Sequence, residues 1–455
     1  MSIKILEGNC LQTLSSLEEK SVNTCVTSPP YWGLRDYGTA KWIGGDPNCS
    51  HMRTTKINKN TSNNVVNKAW SEGNVGDAIY KSKCSKCGAV REDDQLGLEE
   101  TPEQFVENLV KVFQEVRRVL RDDGTVWLNL GDSYCGTGHK GDTIDPRYQG
   151  RNGQKVALNN KIQGLKQKDL VGIPWRVAFA LQADGWYLRQ DIIWSKPNPM
   201  PESVQDRCTK AHEYIFLLSK SSKYYYDSEA IKEEIQDESA KRLLRGVSDN
   251  HKNSFGAPGQ TPHTMNKPRK NVRKQFTSDM EEDGTLMIGE KRNKRSVWTV
   301  TTKPYSEAHF ATYPPELIKP CILAGCPEKV CANCGKPYVR GIESTRLKRN
   351  ELPKNDPRYR PNTYEGTYKN INGKADAGYT QTKDLGLQKQ CQCETNETKS
   401  GTVLDPFGGS GTTAQVANNL NRNAILCELN PEYVEIAKGR LHDSLGMFMD
   451  LEVVK

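Results

Sequence analysis

Thr402-Val403-Leu404-Asp405-Pro406-Phe407-Gly408-Gly409-Ser410-Gly411-Thr412-Thr413 is the stretch that decides the fold of this 455-residue chain. Three β-formers run into an acidic residue and a glycine-rich turn, and a helix follows from about Gly411 to Leu420. Glycines let backbone approach a ligand closely, and a helix start offers unpaired N–H groups to it. A second strand, Asn423 to Leu429, carries Glu428 near its end, where a carboxylate suits the two hydroxyls of a ribose. The helix Pro431 to Leu441 completes a β-α-β-α run. No Lys-Ser/Thr pair follows the glycines as in a phosphate loop, and Asp405 repels phosphate but welcomes an amino group. The pattern predicts a site for a zwitterionic amino-acid nucleoside rather than a nucleotide.

A counterpart lies near the other end of the chain. Ser21 to Val26 alternates as a strand does, and Thr27-Ser28-Pro29-Pro30-Tyr31-Trp32 follows. Pro30 fixes its own φ and pushes Pro29 into an extended form. The result is a stiff segment with a carbonyl at Pro29 and a hydroxyl acceptor at Ser28, beside the flat faces of Tyr31 and Trp32. A planar group that carries an NH2, such as a nucleobase, fits such a pocket. The plainer alternative is a proline-rich turn that packs two aromatics on the core.

Together, Asp405–Thr413, the later Cys427-Glu428-Leu429-Asn430-Pro431-Glu432-Tyr433 and the upstream Thr27–Gly38 resemble the amino-methylating DNA methyltransferases that use S-adenosylmethionine. The catalytic motif comes first and the cofactor motif last, as in their circularly permuted β group. The resemblance implies an α/β, Rossmann-like class I methyltransferase fold, with a mixed, mostly parallel sheet of seven strands. It implies catalysis by Ser28, Pro29, Pro30 and Tyr31. It assigns the cofactor to Asp405, Phe407, Gly408, Gly409, Ser410, Gly411, Thr412 and Glu428, flanked by His309 and Phe310. Ser before Pro-Pro goes with cytosine N4 in this family and Asp with adenine N6, so Ser28 favours cytosine N4. Adenine N6, or an RNA or protein amide, is the alternative.

Composition is consistent with long polar inserts on an ordinary core. Hydrophobic residues make up 35% of the chain and mean hydropathy is −0.74. Lys and Arg exceed Asp and Glu by 64 to 56, a net +8 that permits a polyanionic partner without diagnosing one. No apolar run is long enough to span a bilayer and the N-terminus lacks a signal peptide, so a cytoplasmic protein without a membrane partner is expected. Fourteen cysteines then suggest metal sites before disulfides.

Taken in order, residues 1–38 form the catalytic-motif part of the core, in which Arg35 and Asp36 contact DNA or pair with each other. Residues 39–100 form an insert carrying Cys49, His51, Cys84 and Cys87, a zinc-type set of ligands. Residues 101–227 return to the core. Thr101-Pro102 starts a helix there, and Asp132 ends a strand as either a pocket residue or a turn cap. Ile173 to Ala183 is a further helix, and Lys196 and Asn198 occupy a stiff loop that the resemblance assigns to DNA. Residues 228–296 are the expected target-recognition region. Between Lys241 and Gln275 it has nine basic residues and one acidic residue. Arg242, Arg245, Lys267, Arg269, Lys270, Arg273 and Lys274 are its candidates for contacts with double-stranded DNA. Residues 297–325 lie beside the cofactor. Residues 326–400 hold a second zinc-type set, Cys331, Cys334, Cys391 and Cys393, with Cys326 as a spare thiol. Residues 401–455 bind the cofactor. The other cysteines read as small apolar residues, and none has the partner that a C5-cytosine nucleophile would need. The resemblance points to a cognate restriction endonuclease as a partner, and members of the β group often pair as homodimers.

Overall fold

The computed structural model describes residues 1–33, 39–53, 78–79, 83–135, 164–234, 277–280, 286–288, 291–303, 312–347, 379–445 and 450–455. They form two units. The first comprises Met1–Tyr225, Ser296–Cys326 and Ser400–Lys455, the second Tyr226–Arg295 and Pro327–Lys399.

The first unit is built on one sheet. Its strands in chain order are β1 (Ser2–Glu7), β2 (Val22–Thr27), β3 (Leu120–Leu130), β4 (Tyr187–Ser195), β5 (His212–Ser219), β6 (Val297–Thr299), β7 (Thr402–Asp405), β8 (Asn423–Glu428) and β9 (Asp450–Val454). They lie in the order β6-β4-β5-β3-β2-β7-β8-β1-β9. Only β5 runs antiparallel to its neighbours. The mostly parallel architecture is as expected, but among the described residues the sheet has nine strands rather than seven. The short β6 extends one edge beside β4, and β9 extends the other beside β1.

Helices cover both faces of the sheet, as parallel strands require. On one face, α1 (Cys10–Ser15), α2 (Pro102–Val119) and α3 (Ile173–Ala183) pack side by side. Phe105, Leu109, Phe113 and Val116 recur every three or four residues along α2 and are fully buried. Each contributes about 1.5–3 kcal/mol of apolar burial. Thr101 caps α2 by accepting the Gln104 N–H at 3.2 Å, with Pro102 at the first helical position, where its missing N–H costs nothing. On the other face, α4 (Pro315–Gly325), α5 (Thr412–Asn419) and α6 (Pro431–Leu445) pack in succession.

The connections make a switch point. From β7 the chain runs through α5 to β8, toward one edge. From β2 it runs through α2 to β3, toward the other. Open α/β sheets bind ligands at the carboxyl ends of the two strands where the order reverses. Those ends are Thr27 and Asp405, so the two motifs meet there.

The second unit consists of small antiparallel pairs. Val339–Leu347 pairs with Tyr379–Gln388, Val330–Cys331 with Thr398–Lys399, and Glu233–Glu234 with Lys291–Arg292.

Candidate active site

The two motifs are joined by a hydrogen bond across 378 positions of sequence: Thr27 Oγ1 donates to Asp405 Oδ1 at 2.6 Å. Strand register causes this, since Val403 lies opposite Thr24 and Leu404 opposite Cys25. The other carboxylate oxygen accepts from Thr413 Oγ1 at 2.5 Å and from Tyr313 Oη at 2.9 Å. The Phe407 N–H donates to Oδ1 at 3.1 Å, and Tyr313 and Thr413 also bond to each other. Asp405 is 1% exposed. Burial pushes its carboxyl up to about 6, against the pull of these donors. Its partner set therefore differs from the expected carboxylate facing a ligand's amino group. Asp405 ties together β2, β7, α5 and the segment before α4, and so sets the path of the glycine turn. Tyr313 was not foreseen in this role.

The turn is held from the far side by Glu428. Its Oε2 accepts the Gly409 N–H at 2.7 Å and its Oε1 the Asn430 N–H at 2.8 Å. Burial pushes this carboxyl up to about 7. Phe407 is partly exposed beside it, a flat apolar face at the turn, whereas Gly408, Ser410, Gly411 and Thr412 are buried. Arg440 of α6, which the sequence did not single out, locks the other side. Its Nη1 donates to Ser410 Oγ at 2.9 Å and to Thr412 Oγ1 at 2.7 Å.

On the β2 side, Ser28 and Pro30 are partly exposed and Pro29 is buried. Tyr31 is fixed in place. Its hydroxyl donates to Glu213 Oε2 at 2.7 Å and lies 3.2 Å from Asn129 Oδ1. Its ring lies against Gly131, where a Cβ would come within 2.5 Å of Cε2, so any side chain there would displace the ring. Trp32 is buried, and its indole N–H donates to the Glu99 carbonyl at 3.0 Å. Glu213, Asn129 and Gly131 shape this site, and no local motif marks them.

Several expected contacts have other partners. Lys196 pairs with Glu213, and its ammonium lies 4.3 Å from the Trp194 ring centre. It thus stands behind Tyr31 instead of reaching outward toward DNA. Asn198 uses its amide on backbone, accepting the Thr302 N–H at 3.0 Å and donating to its carbonyl at 3.3 Å. Asp132 is a cap, since Oδ1 accepts the N–H groups of Ser133, Gly172 and Ile173 at the start of α3. Arg35, Asp36, His309, Phe310 and the basic candidates Arg242, Arg245, Lys267, Arg269, Lys270, Arg273 and Lys274 lie outside the described residues.

Both metal-type quartets are assembled. In the first unit, the ligand atoms of Cys49, His51, Cys84 and Cys87 lie within 4.8 Å of one another; in the second, so do those of Cys331, Cys334, Cys391 and Cys393. Cys49 Sγ and Cys84 Sγ are 3.8 Å apart. That matches the edge of a tetrahedron with zinc–sulfur bonds of about 2.3 Å, roughly 3.8 Å. In each Cys-x-x-Cys-Gly turn the glycine N–H returns to the first cysteine's carbonyl, Gly88 to Cys84 at 2.8 Å and Gly335 to Cys331 at 2.9 Å. Backbone N–H groups, that of Cys334 foremost, push the Cys331 thiol down to about 6, which favours the thiolate that a metal takes. Cys326 is in neither group. It caps α4 inside the core, where burial pushes its thiol up to about 12. Burial likewise raises Cys25, Cys10 and Cys427, so none of these supplies a thiolate nucleophile.

Comparison with known proteins adds a family. The DNA methylase family model matches residues 22–331 and 354–439. Type II methyltransferase M.Cfr9I of Citrobacter freundii is 34% identical over 96% of this chain and 87% of its own length. M.XycI of Xanthomonas campestris pv. cyanopsidis is 33% identical over the same shares. M.SmaI of Serratia marcescens is 32% identical over 97% of this chain and 91% of its own.

Proposed function

We propose, from the premise that this chain belongs to the DNA methylase family, that it methylates the N4 amine of a flipped-out cytosine in double-stranded DNA. The observation that supports this reading is the Thr27–Asp405 hydrogen bond, which brings the segment Ser28-Pro29-Pro30-Tyr31 beside the glycine turn. S-adenosylmethionine supplies an electrophilic methyl group. The residues that fit it are those of the glycine turn, with Phe407 as an apolar face and Glu428 as acceptor for ribose hydroxyls.

The protein's own residues do the rest by positioning. An aryl amine has its lone pair drawn into the ring. Ser28 Oγ and the Pro29 carbonyl accept its two N–H groups, which draws the nitrogen toward sp3 and aims the lone pair. Tyr31 stacks on the base, held by Glu213 and Asn129. The base must leave the duplex, because its amine is otherwise paired. No strong general base is required, as the proton leaves after attack. Ser28 selects cytosine over adenine in this reading, and mass spectrometry of nucleosides from DNA treated with the enzyme tests it. N4-methylcytosine is expected; N6-methyladenine would overturn the assignment to cytosine.

Zinc is the ion proposed for both quartets, given their sulfur-rich tetrahedral donors. The basic residues of 241–275 are proposed to hold DNA phosphates. A cognate restriction endonuclease is the partner that the Type II relatives suggest, and a homodimer is the assembly that β-group membership suggests. Among the described residues no helix is long and apolar enough to cross a membrane.

Glu428 gives a pH test. Its folded value of about 7 lies above the ordinary carboxylate range. Ribose hydroxyls need the ionised form, so binding below that pH must release a proton. Calorimetry should give a cofactor Kd that is flat above about pH 7 and rises about tenfold per unit below it. Glu428→Gln should bind weakly at every pH and lose this slope.

A further inference from the structure

The first metal-type quartet sits at the loop end of a hairpin whose open end leads to the catalytic segment. Lys41–Ile43 pairs with Val90–Glu92. Cys49 and His51 follow the first strand, and Cys84 and Cys87 precede the second. A two-stranded hairpin is marginal on its own, so a metal closed in the quartet would fix its strands. Trp42 stacks on His51 with ring centres 4.3 Å apart, which couples the strand pair to the ligand set. Beyond the paired strands, Thr39 Oγ1 donates to Asp93 at 2.9 Å.

The return leg then grips the segment that the reaction uses. The Gly33 N–H donates to the Gly97 carbonyl at 2.8 Å, and the Trp32 indole to the Glu99 carbonyl at 3.0 Å. Gly97 has φ +92°, and a Cβ there would lie 3.0 Å from the Tyr31 carbonyl. The leg is itself anchored, because Glu99 accepts the Gly97 N–H at 2.8 Å and Asn108 Nδ2 of α2 at 3.2 Å.

We infer that the metal held by Cys49, His51, Cys84 and Cys87 is a positioning element for the base pocket: it tensions the hairpin whose return leg fixes Tyr31, Trp32 and Gly33. This rests on the methyltransferase reading above. It gives the first quartet a role at the pocket that holds the base.

The test uses the full chain, with Cys84→Ser in the first quartet and Cys334→Ser in the second. Metal content per chain, hydrogen exchange of the Gly33 amide, cofactor Kd and kcat on DNA are measured for each. Both variants should lose one zinc equivalent. Only Cys84→Ser should speed Gly33 exchange and lower kcat, by about 10- to 100-fold, the scale of a misplaced reacting group, with cofactor Kd unchanged. Loss of the metal with native Gly33 exchange and native kcat would overturn the positioning role. A wild-type protein that methylates DNA yet holds no metal at the first quartet would overturn it too, while leaving the methyltransferase reading intact. If Cys84→Ser also loses cofactor affinity, Trp32→Phe decides. It keeps the metal and removes one grip, so faster Gly33 exchange and lower kcat support the inference, and native values of both overturn it.

Discussion

Asp405→Ala should destabilise the first unit by about 3 kcal/mol and abolish measurable cofactor binding. The substitution removes the common acceptor of Thr27, Thr413, Tyr313 and the Phe407 N–H. Each buried donor left unpaired costs about 1–3 kcal/mol. Tyr313 and Thr413 are already in mutual contact and recover part of that loss by bonding to each other. Because burial raises the Asp405 carboxyl to about 6, the carboxylate itself is strained by desolvation, which keeps the net cost well below the sum. Asp405→Asn retains an acceptor and the volume, and should recover most of the stability. Thermal unfolding and cofactor titration of the two variants check this. A near-native Asp405→Ala protein would mean that the network does not shape the turn.

Ser28→Ala should lower kcat by about 100-fold, the usual loss on removing one group that stabilises developing charge, while cofactor Kd and stability stay native. Ser28 is partly exposed at the end of β2, and no hydrogen bond to its side chain occurs among the described residues, so its loss leaves no buried group unpaired. The two substitutions therefore separate the motifs. One acts through the cofactor turn and the fold, the other through the amine pocket alone. Single-turnover rates give the split directly, and a native rate for Ser28→Ala would remove the hydroxyl from the mechanism.

Much of the cofactor half was legible because its determinants are local. A strand, a glycine turn and a helix start follow one another within a dozen residues, and β7, α5 and β8 begin and end within about two residues of where propensity puts them. The metal quartets were legible for the same reason, since Cys-x-x-Cys-Gly is a turn before it is a site. What was hidden depends on pairing across the sheet. Tyr31 meets Glu213 over 182 positions, and Tyr313 meets Asp405 over 92. Arg440 lies on a helix whose pattern gives no sign that one arginine points inward at Ser410. Lys196 and Asn198 were assigned to DNA by the resemblance of their loop, and their partners, Glu213 for one and the backbone of Thr302 for the other, come from distant elements. Of the two edge strands, β6 follows a legible run of β-formers, Val297-Trp298-Thr299, whereas β9 is short and partly polar, where hydrophobic patterning is weakest.

The central claim is that segments from opposite ends of the chain make one amine-methylating site. Single-molecule sequencing of DNA from a methylation-free host that expresses this protein tests it most directly. The account predicts N4-methylcytosine at every copy of one fixed sequence motif, and sparse modification of the same motif with Ser28→Ala. Unmodified DNA from cells containing folded protein that binds S-adenosylmethionine would contradict it.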